Sequence, residues 1–360
     1  MTVDCSNPAT WLLVLLLIAN WIFVTVVYIG LSGKQSSLAK TLIYFVQVSW
    51  LILGSGNTLH VWLQLANMQL NGGGFCLFKR SYFESIAQQF LFPVISTAQL
   101  VIVIVIIQFV HYIRGRHFDA SRYWIRPLIA ILLGSYTPLT TAALQVLNCR
   151  PVGQYTVLVN APAISCNSSA YILYRNIAIA VVVTVTAGVP LLLLILLIRW
   201  RHNIAAKQRG WGYIFEAYRV PMFWWQVVEL ARRSGLSALT LIIDTGARSF
   251  ALFLSCIVIY VLQHIIRPIA DKHGNSMELI SLGVLAVIAG TNASSLFSTS
   301  YAQFSLDIVM NVAIVLTVIC IAALIARQRR AKVIDLWHGL RSRCKGHKSK
   351  DAPLLTEHLI

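Results

Sequence analysis

Apolar residues form long blocks along this chain, and polar ones gather between them. Runs near the length of a membrane-spanning helix, which needs about 20 mostly apolar residues, fall roughly at 11–31, 42–65, 86–112, 125–147, 172–198, 222–243, 249–266, 279–297 and 304–326. The pattern predicts an all-α fold, a polytopic membrane helical bundle with about nine transmembrane helices. It divides the chain into a short extracellular N-terminus (1–10), a transmembrane domain (11–326) and a basic cytoplasmic tail (327–360). The first run, WLLVLLLIANWIFVTVVYIGL, follows only Asp4 as a charged residue and precedes Lys34 and Lys40. Without a basic start or a small-residue cleavage site it reads as an uncleaved anchor rather than a signal peptide.

Composition supports the membrane reading. Of the 360 residues 58% are hydrophobic and 11% charged, against about a quarter charged in soluble domains. The net charge of +17 would suggest nucleic acid as partner of a soluble chain. Here Lys and Arg lie in the loops between apolar runs, which is a topogenic pattern, so no nucleic-acid role is expected. With the N-terminus outside, 22 of the 29 basic residues fall inside and only Lys79, Arg80, Arg150, Arg175 and Arg248 outside, leaving Arg232 and Arg233 embedded. If FWWQVVELARR instead lay flat on the surface, the tail with its nine basic residues would face outside, so the charge rule favours a true sixth span.

Four of the seven cysteines, Cys5, Cys76, Cys149 and Cys166, fall on the outer side, where an oxidising compartment lets thiols pair. Cys149 and Cys166 share one loop and are the favoured disulfide; a bridge from either to Cys76, or two free thiols, are the alternatives. Asn167-Ser168-Ser169 in that loop is a glycosylation sequon, whereas Asn292-Ala293-Ser294 falls within a span. In the tail, Val333, Leu336, Trp337 and Leu340 recur at helical spacing among basic residues. That pattern suits a helix on anionic inner-leaflet lipids, with a solvated basic tail as the plainer alternative.

Familiar active-site chemistry is missing from the sequence. The nine histidines have no metal-ligand spacing, NGGGFC lacks the lysine of a phosphate-binding loop, and nucleophile signatures are missing, so neither an enzyme, a metal nor a cofactor is expected. What remains is polarity inside the spans. Gln47, Asn57, His60 and Gln64 share a stripe on the second run; Gln88, Gln89, Gln99 and Gln108 lie on the third; Asp307 and Asn311 sit four apart on the ninth. In each case interhelical hydrogen bonding is the plain reading, and a conduction path the sharper one.

The stretch RVPMFWWQVVELARR places Glu229, Arg232 and Arg233 inside the sixth run. At mid-bilayer each would cost roughly 2.5–3.5 kcal/mol. Glu229 precedes Arg232 by three residues and Arg233 by four, so the side chains neighbour one another on one face, together with Trp225, Gln226 and Thr240. One acid leaves one surplus positive charge, which calls for an acid on another helix, a lipid phosphate or a water-filled crevice. Asp307 is the candidate acid. A brace against neighbouring helices and the charged lining of a permeation or headgroup path are the two roles considered.

GYIFEAYRVPMFWWQVVELARR resembles the signature of multi-pass proteins of protists, algae, oomycetes and fungi that carry a TRP-like C-terminal domain. In these a tyrosine is followed by Trp-Trp-Glu-x-Val-Glu-x-x-Arg-Lys; Tyr218, Trp224, Trp225, Val228, Glu229 and Arg232 match, while Gln226 replaces the first acid and Arg233 the lysine. KTLIYFVQVSWLI, FCLFKRSYFESIAQQFLFPV and LNCRPVGQYTVLVNAPAISC are similar to other parts of the family, and the likeness covers most of residues 11–300. It implies a TRP-like cation channel or channel-related transporter, whose pore would run beside the polar faces of helices two, three, six and nine. It also implies a large repetitive ectodomain ahead of the first span, expected here to be lost or encoded upstream. A structural or adhesion anchor and a lipid scramblase are the other classes. Membrane lipids are the expected partners, a homo-oligomer is allowed, and the plasma membrane or an endomembrane is the expected location.

Overall fold

The computed structural model describes residues 37–53, 82–114, 124–202, 211–242, 244–294 and 311–326, with Leu63 and seven helical positions between 18 and 28. The helices are α1 (Ser37–Ile52), α2 (Tyr82–Ile113), α3 (Ile125–Leu147), α4 (Ser169–Trp200), α5 (Trp225–Leu239), α6 (Thr245–Ile266), α7 (Lys272–Ser294) and α8 (Asn311–Ala326). Five of them, α2, α3, α4, α6 and α7, are long and apolar enough to cross a membrane.

Their faces are arranged as lipid would require. Val94, Val101, Val105 and Phe109 on α2, Leu173, Val183 and Leu191 on α4, and Phe250, Leu254 and Val258 on α6 are exposed. Lys40, Gln47, Gln89, Gln99, Gln226, Glu229, Arg233 and Glu278 are buried. A water-soluble fold would hide the first set and show the second. α3 is the central helix: 67% of its most apolar 18-residue stretch is buried, against 11% for α4.

Contacts fix the directions. Ser37 meets Gly274 at the start of α1 and α7, and at the far end Asn292 Nδ2 donates to the Ile52 carbonyl at 2.6 Å, so these helices run parallel. Gly290 faces Phe253 and Gly283 faces Tyr260, which makes α6 antiparallel to α7. Tyr171 Oη donates to the Val146 carbonyl while Leu193 and Leu197 pack with Ile129 and Leu133, so α4 opposes α3. Ile86 packs with Ala142 and Val146, and Leu100 and Val103 with Ile131, so α2 opposes α3 as well. By the same kind of contact α1, α3, α5 and α7 run one way and α2, α4, α6 and α8 the other.

At one end, hereafter the cystine end, the chain between α3 and α4 forms a three-stranded antiparallel sheet, β1 (Cys149–Val152), β2 (Tyr155–Leu158) and β3 (Ala161–Ser165), in the order β1-β2-β3. Gly153, at φ +61°, makes the tight turn between β1 and β2, a conformation that suits glycine. The disulfide Cys149–Cys166 ties β1 to the residue after β3. This sheet departs from the all-α expectation, because the short alternating strands lie in a loop too polar for the hydropathy pattern to register.

At the opposite end Tyr218 bridges to Ile269; Arg219 N donates to the Pro268 carbonyl and Ala270 N to that of Ala217. The chain entering α5 and the chain leaving α6 are therefore held side by side. α5 has only 15 residues rather than the 22 expected over 222–243, since Pro221 starts a 3-10 turn (Val220–Met222) before it and Thr240 ends it. Because α6 covers about 33 Å at 1.5 Å per residue and both its ends adjoin this segment, Arg219 to Asp244 covers the same distance. α7 starts at Lys272 instead of near 279, which brings Glu278 into a helix.

A buried charge network as candidate functional site

Four elements meet near the end opposite the cystine, hereafter the lysine end: counted from the helix starts at 1.5 Å per residue, Lys40 lies about 5 Å in, Glu278 about 9 Å and Gln47 about 15 Å. α1 supplies Lys40, Tyr44 and Gln47, spaced three and four apart and thus on one face. Gln226, Glu229, Arg232 and Arg233 come from α5, Glu278 from α7, and Tyr218 from the bridged segment.

The sequence pattern places Glu229 between two arginines; the structure separates them. Arg232 Nη2 donates to Glu278 Oε1 at 2.7 Å, and both side chains are almost wholly buried. Arg233 Nη1 donates to Gln47 Oε1 at 3.0 Å, and its Nη2 lies 3.9 Å from Glu229 Oε2, an ion pair without a hydrogen bond. The Glu229 carboxylate accepts from Tyr218 Oη at 2.6 Å and from Gln226 Nε2 at 3.4 Å. The acid foreseen on another helix is thus Glu278; Asp307, the sequence candidate, lies outside the described residues.

Lys40 is the participant that the loop count hid by assigning it to the inner loop. Its Nζ donates to the Tyr213 carbonyl at 2.6 Å and to Gln226 Oε1 at 2.9 Å, and lies 4.8 Å and 5.0 Å from the ring centres of Tyr213 and Tyr218. The Tyr44 ring takes both guanidinium groups, Arg232 at 4.0 Å and Arg233 at 5.2 Å. Such contacts are strongest where water is excluded. Gln226 accepts from Lys40 and donates to Glu229, two jobs that an ionised carboxylate in its place could not both perform.

Three positive side chains thus face two negative ones, one positive charge in excess. Arg126 and Glu216, 3.2 Å apart, form a neutral pair beside the network. Tyr218 lies before the sixth run; burial, then the Glu229 carboxylate, raises its hydroxyl well above the ordinary phenol range, so it stays a donor. Two cavities adjoin the network, of about 10 Å³ and about 20 Å³ of space open to the centre of a water-sized sphere. Each is about right for one water. Arg232 lines the first and Arg233 the second, and the Nε of each arginine has no partner among the described residues.

Other sequence candidates fall elsewhere. Gln99 accepts from Asn20 Nδ2 at 2.7 Å, an interhelical bond that involves none of the network's side chains. Asn311 is half-buried at the start of α8, while Asn57, His60 and Gln64 lie outside the described residues. Asn167 is exposed in the turn beside the disulfide. Among the described residues no group of three or more His, Cys, Asp or Glu could hold a metal. The tail and its lipid-facing pattern also lie outside the described residues. No family model, no curated protein and no solved structure matches the chain.

Proposed function

We propose that the chain is an integral membrane protein of nine crossings, with its N-terminus and cystine end outside, and that it belongs to the channel or channel-related transporter class. The observation that carries this is the network: five ionisable side chains buried in a bundle with apolar outer faces, one positive charge in excess. Ionisable groups at such depth are costly and mark pathways or switches more often than filler. The sign of the excess gives the network its role. A cation would meet a positive lining, and cavities of about 10–20 Å³ admit no ion path, so the network is a lock in a closed arrangement and the cation route runs beside it. The alternating helix directions and the basic residues Arg114, Arg126, Arg199, Arg201, Arg219, Arg267 and Lys272 at the lysine end support the proposed sidedness.

A second reading, a brace in a membrane anchor, draws on the same geometry, since every one of the five charges has a protein partner. Scrambling along an arginine-lined groove has less support, because both guanidinium groups are buried. Purified protein in liposomes, assayed for cation flux and fluorescent-lipid transfer together, separates the three. The lock reading expects cation flux that rises in folded Arg233→Gln. Flux absent from well-folded wild type and variant would overturn it in favour of the anchor, and lipid transfer alone would favour the scramblase.

A further inference from the structure

Two prolines inside helices each remove the amide that an α-helix would offer to one carbonyl. Pro138 in α3 has no N–H for the carbonyl of Gly134, and Pro190 in α4 none for that of Thr186. A side chain from a neighbouring helix takes up each: Gln47 Nε2 donates to the Gly134 carbonyl at 2.6 Å, and Tyr136 Oη to the Thr186 carbonyl at 2.9 Å.

The same two side chains reach adjacent residues of α5. Gln47 Oε1 accepts from Arg233, and Tyr136 Oη lies 3.0 Å from Ser234 Oγ. Each hydroxyl has one hydrogen and also a carbonyl within reach, Thr186 at 2.9 Å for Tyr136 and Leu230 at 2.8 Å for Ser234, so either oxygen can supply the hydrogen of the contact between them. Around Thr186 the helix widens into a π-helical turn, Val182–Ala187. On α3, a Cβ added to Gly134 would meet nothing within 4 Å among the described residues, so no side chain packs against the turn at that point.

We propose that Arg233 and Ser234 form a latch that sets the bend of two proline hinges, Gly134–Pro138 in α3 and Thr186–Pro190 in α4. A turn that contains proline and lacks a hydrogen bond bends easily, and its angle is set by whatever replaces that bond. Here the replacements are Gln47 and Tyr136, and each grips a hinge and α5 at once. Displacing α5 loosens both hinges together, which couples the charge network to the two helices behind it. The proposal concerns conformation and holds whether or not the protein conducts.

Hydrogen exchange on the full chain in lipid nanodiscs tests it. Tyr136→Phe raises exchange over residues 182–194 about five- to tenfold, the loss of one hydrogen bond. Adding Pro190→Ala, which supplies the missing amide, suppresses that rise; adding Pro138→Ala does not. Gln47→Met with Pro138→Ala gives the reciprocal pattern over residues 130–142. Ser234→Ala and Arg233→Gln, which touch neither carbonyl, raise exchange at their own hinges. Exchange unchanged in Tyr136→Phe, a rise that Pro190→Ala leaves in place, or hinges unaffected by both α5 variants would overturn the latch. Tyr136→Phe preserves shape and carries the test alone if Gln47→Met does not fold.

Discussion

Replacing Glu278 by glutamine preserves the size of the side chain and removes one of two negative charges that face three positive ones. The Arg232–Glu278 pair has a 2.7 Å contact with side chains 6% and 3% exposed. Taking about 4 Å between charge centres and an effective dielectric constant of about 20, the lost attraction is roughly 4 kcal/mol. A hydrogen bond from the charged Arg232 to the new amide oxygen returns about 1.5 kcal/mol, leaving roughly 2.5–3 kcal/mol. That lies at the lower edge of the ~3–5 kcal/mol typical of breaking a buried pair from one side. At about 2.1 cal/mol/K per residue over 360 residues, thermal unfolding in nanodiscs should fall by about 3–4 °C. Replacing both partners, Arg232→Met with Glu278→Leu, should recover much of the loss, except for the stacking of Arg232 on Tyr44. A midpoint within a degree of wild type for Glu278→Gln, or a double variant as unstable as the sum of the singles, would refute the reasoning.

Charge balance gives a second expectation. Lys40→Met brings the network to neutrality and Glu229→Gln raises its excess to two, so Glu229→Gln should be the less stable, and the double variant should lie above it in the same melting assay. Reduction of Cys149–Cys166, which closes a loop with a separation of 17 residues, should cost about 3 kcal/mol, read as a lower midpoint with reductant that Cys149→Ser reproduces. Gly274→Ala should lose roughly 1–3 kcal/mol, because its Cβ would lie 2.9 Å from Ile269 Cγ2. Gly235→Ala, with nothing within 4 Å, should instead gain about 0.5–1 kcal/mol of helix stability.

The sequence pattern carries the helix layer well where the outer face is apolar. The expectation of 125–147 coincides with α3, and α2, α4 and α6 differ from theirs by four residues or fewer at each end. Hydropathy averages over faces, so it fails where polar residues are buried: α5 is shorter than its run, and α7 begins seven residues early because KHGNSME is helical yet polar. Helical spacing grouped Glu229, Arg232 and Arg233 on one side but could not assign partners, which depend on side-chain direction between helices. Lys40 was hidden for the same reason, since a basic residue beside an apolar run reads as an inner-loop charge. Glu278 left a usable signal, as one of only twelve acids and at the edge of MELISLGVLAVIAG.

Arg232 and Glu278 are 46 residues apart, and this separation bears on how the chain is made. Ribosomes add about 5–20 residues per second, so the arginine waits roughly 2–9 seconds for its acid. During that interval α5 holds a single carboxylate against two guanidinium groups. A segment so charged is poorly suited to partition alone into lipid, and it is best retained beside α1, whose Lys40, Tyr44 and Gln47 are already in place. On the proposed nine-crossing topology, delivery of Glu278 by α7 would then release α5 into the bilayer as part of a finished group, so the order of synthesis, as much as the final contacts, would make so polar a helix admissible.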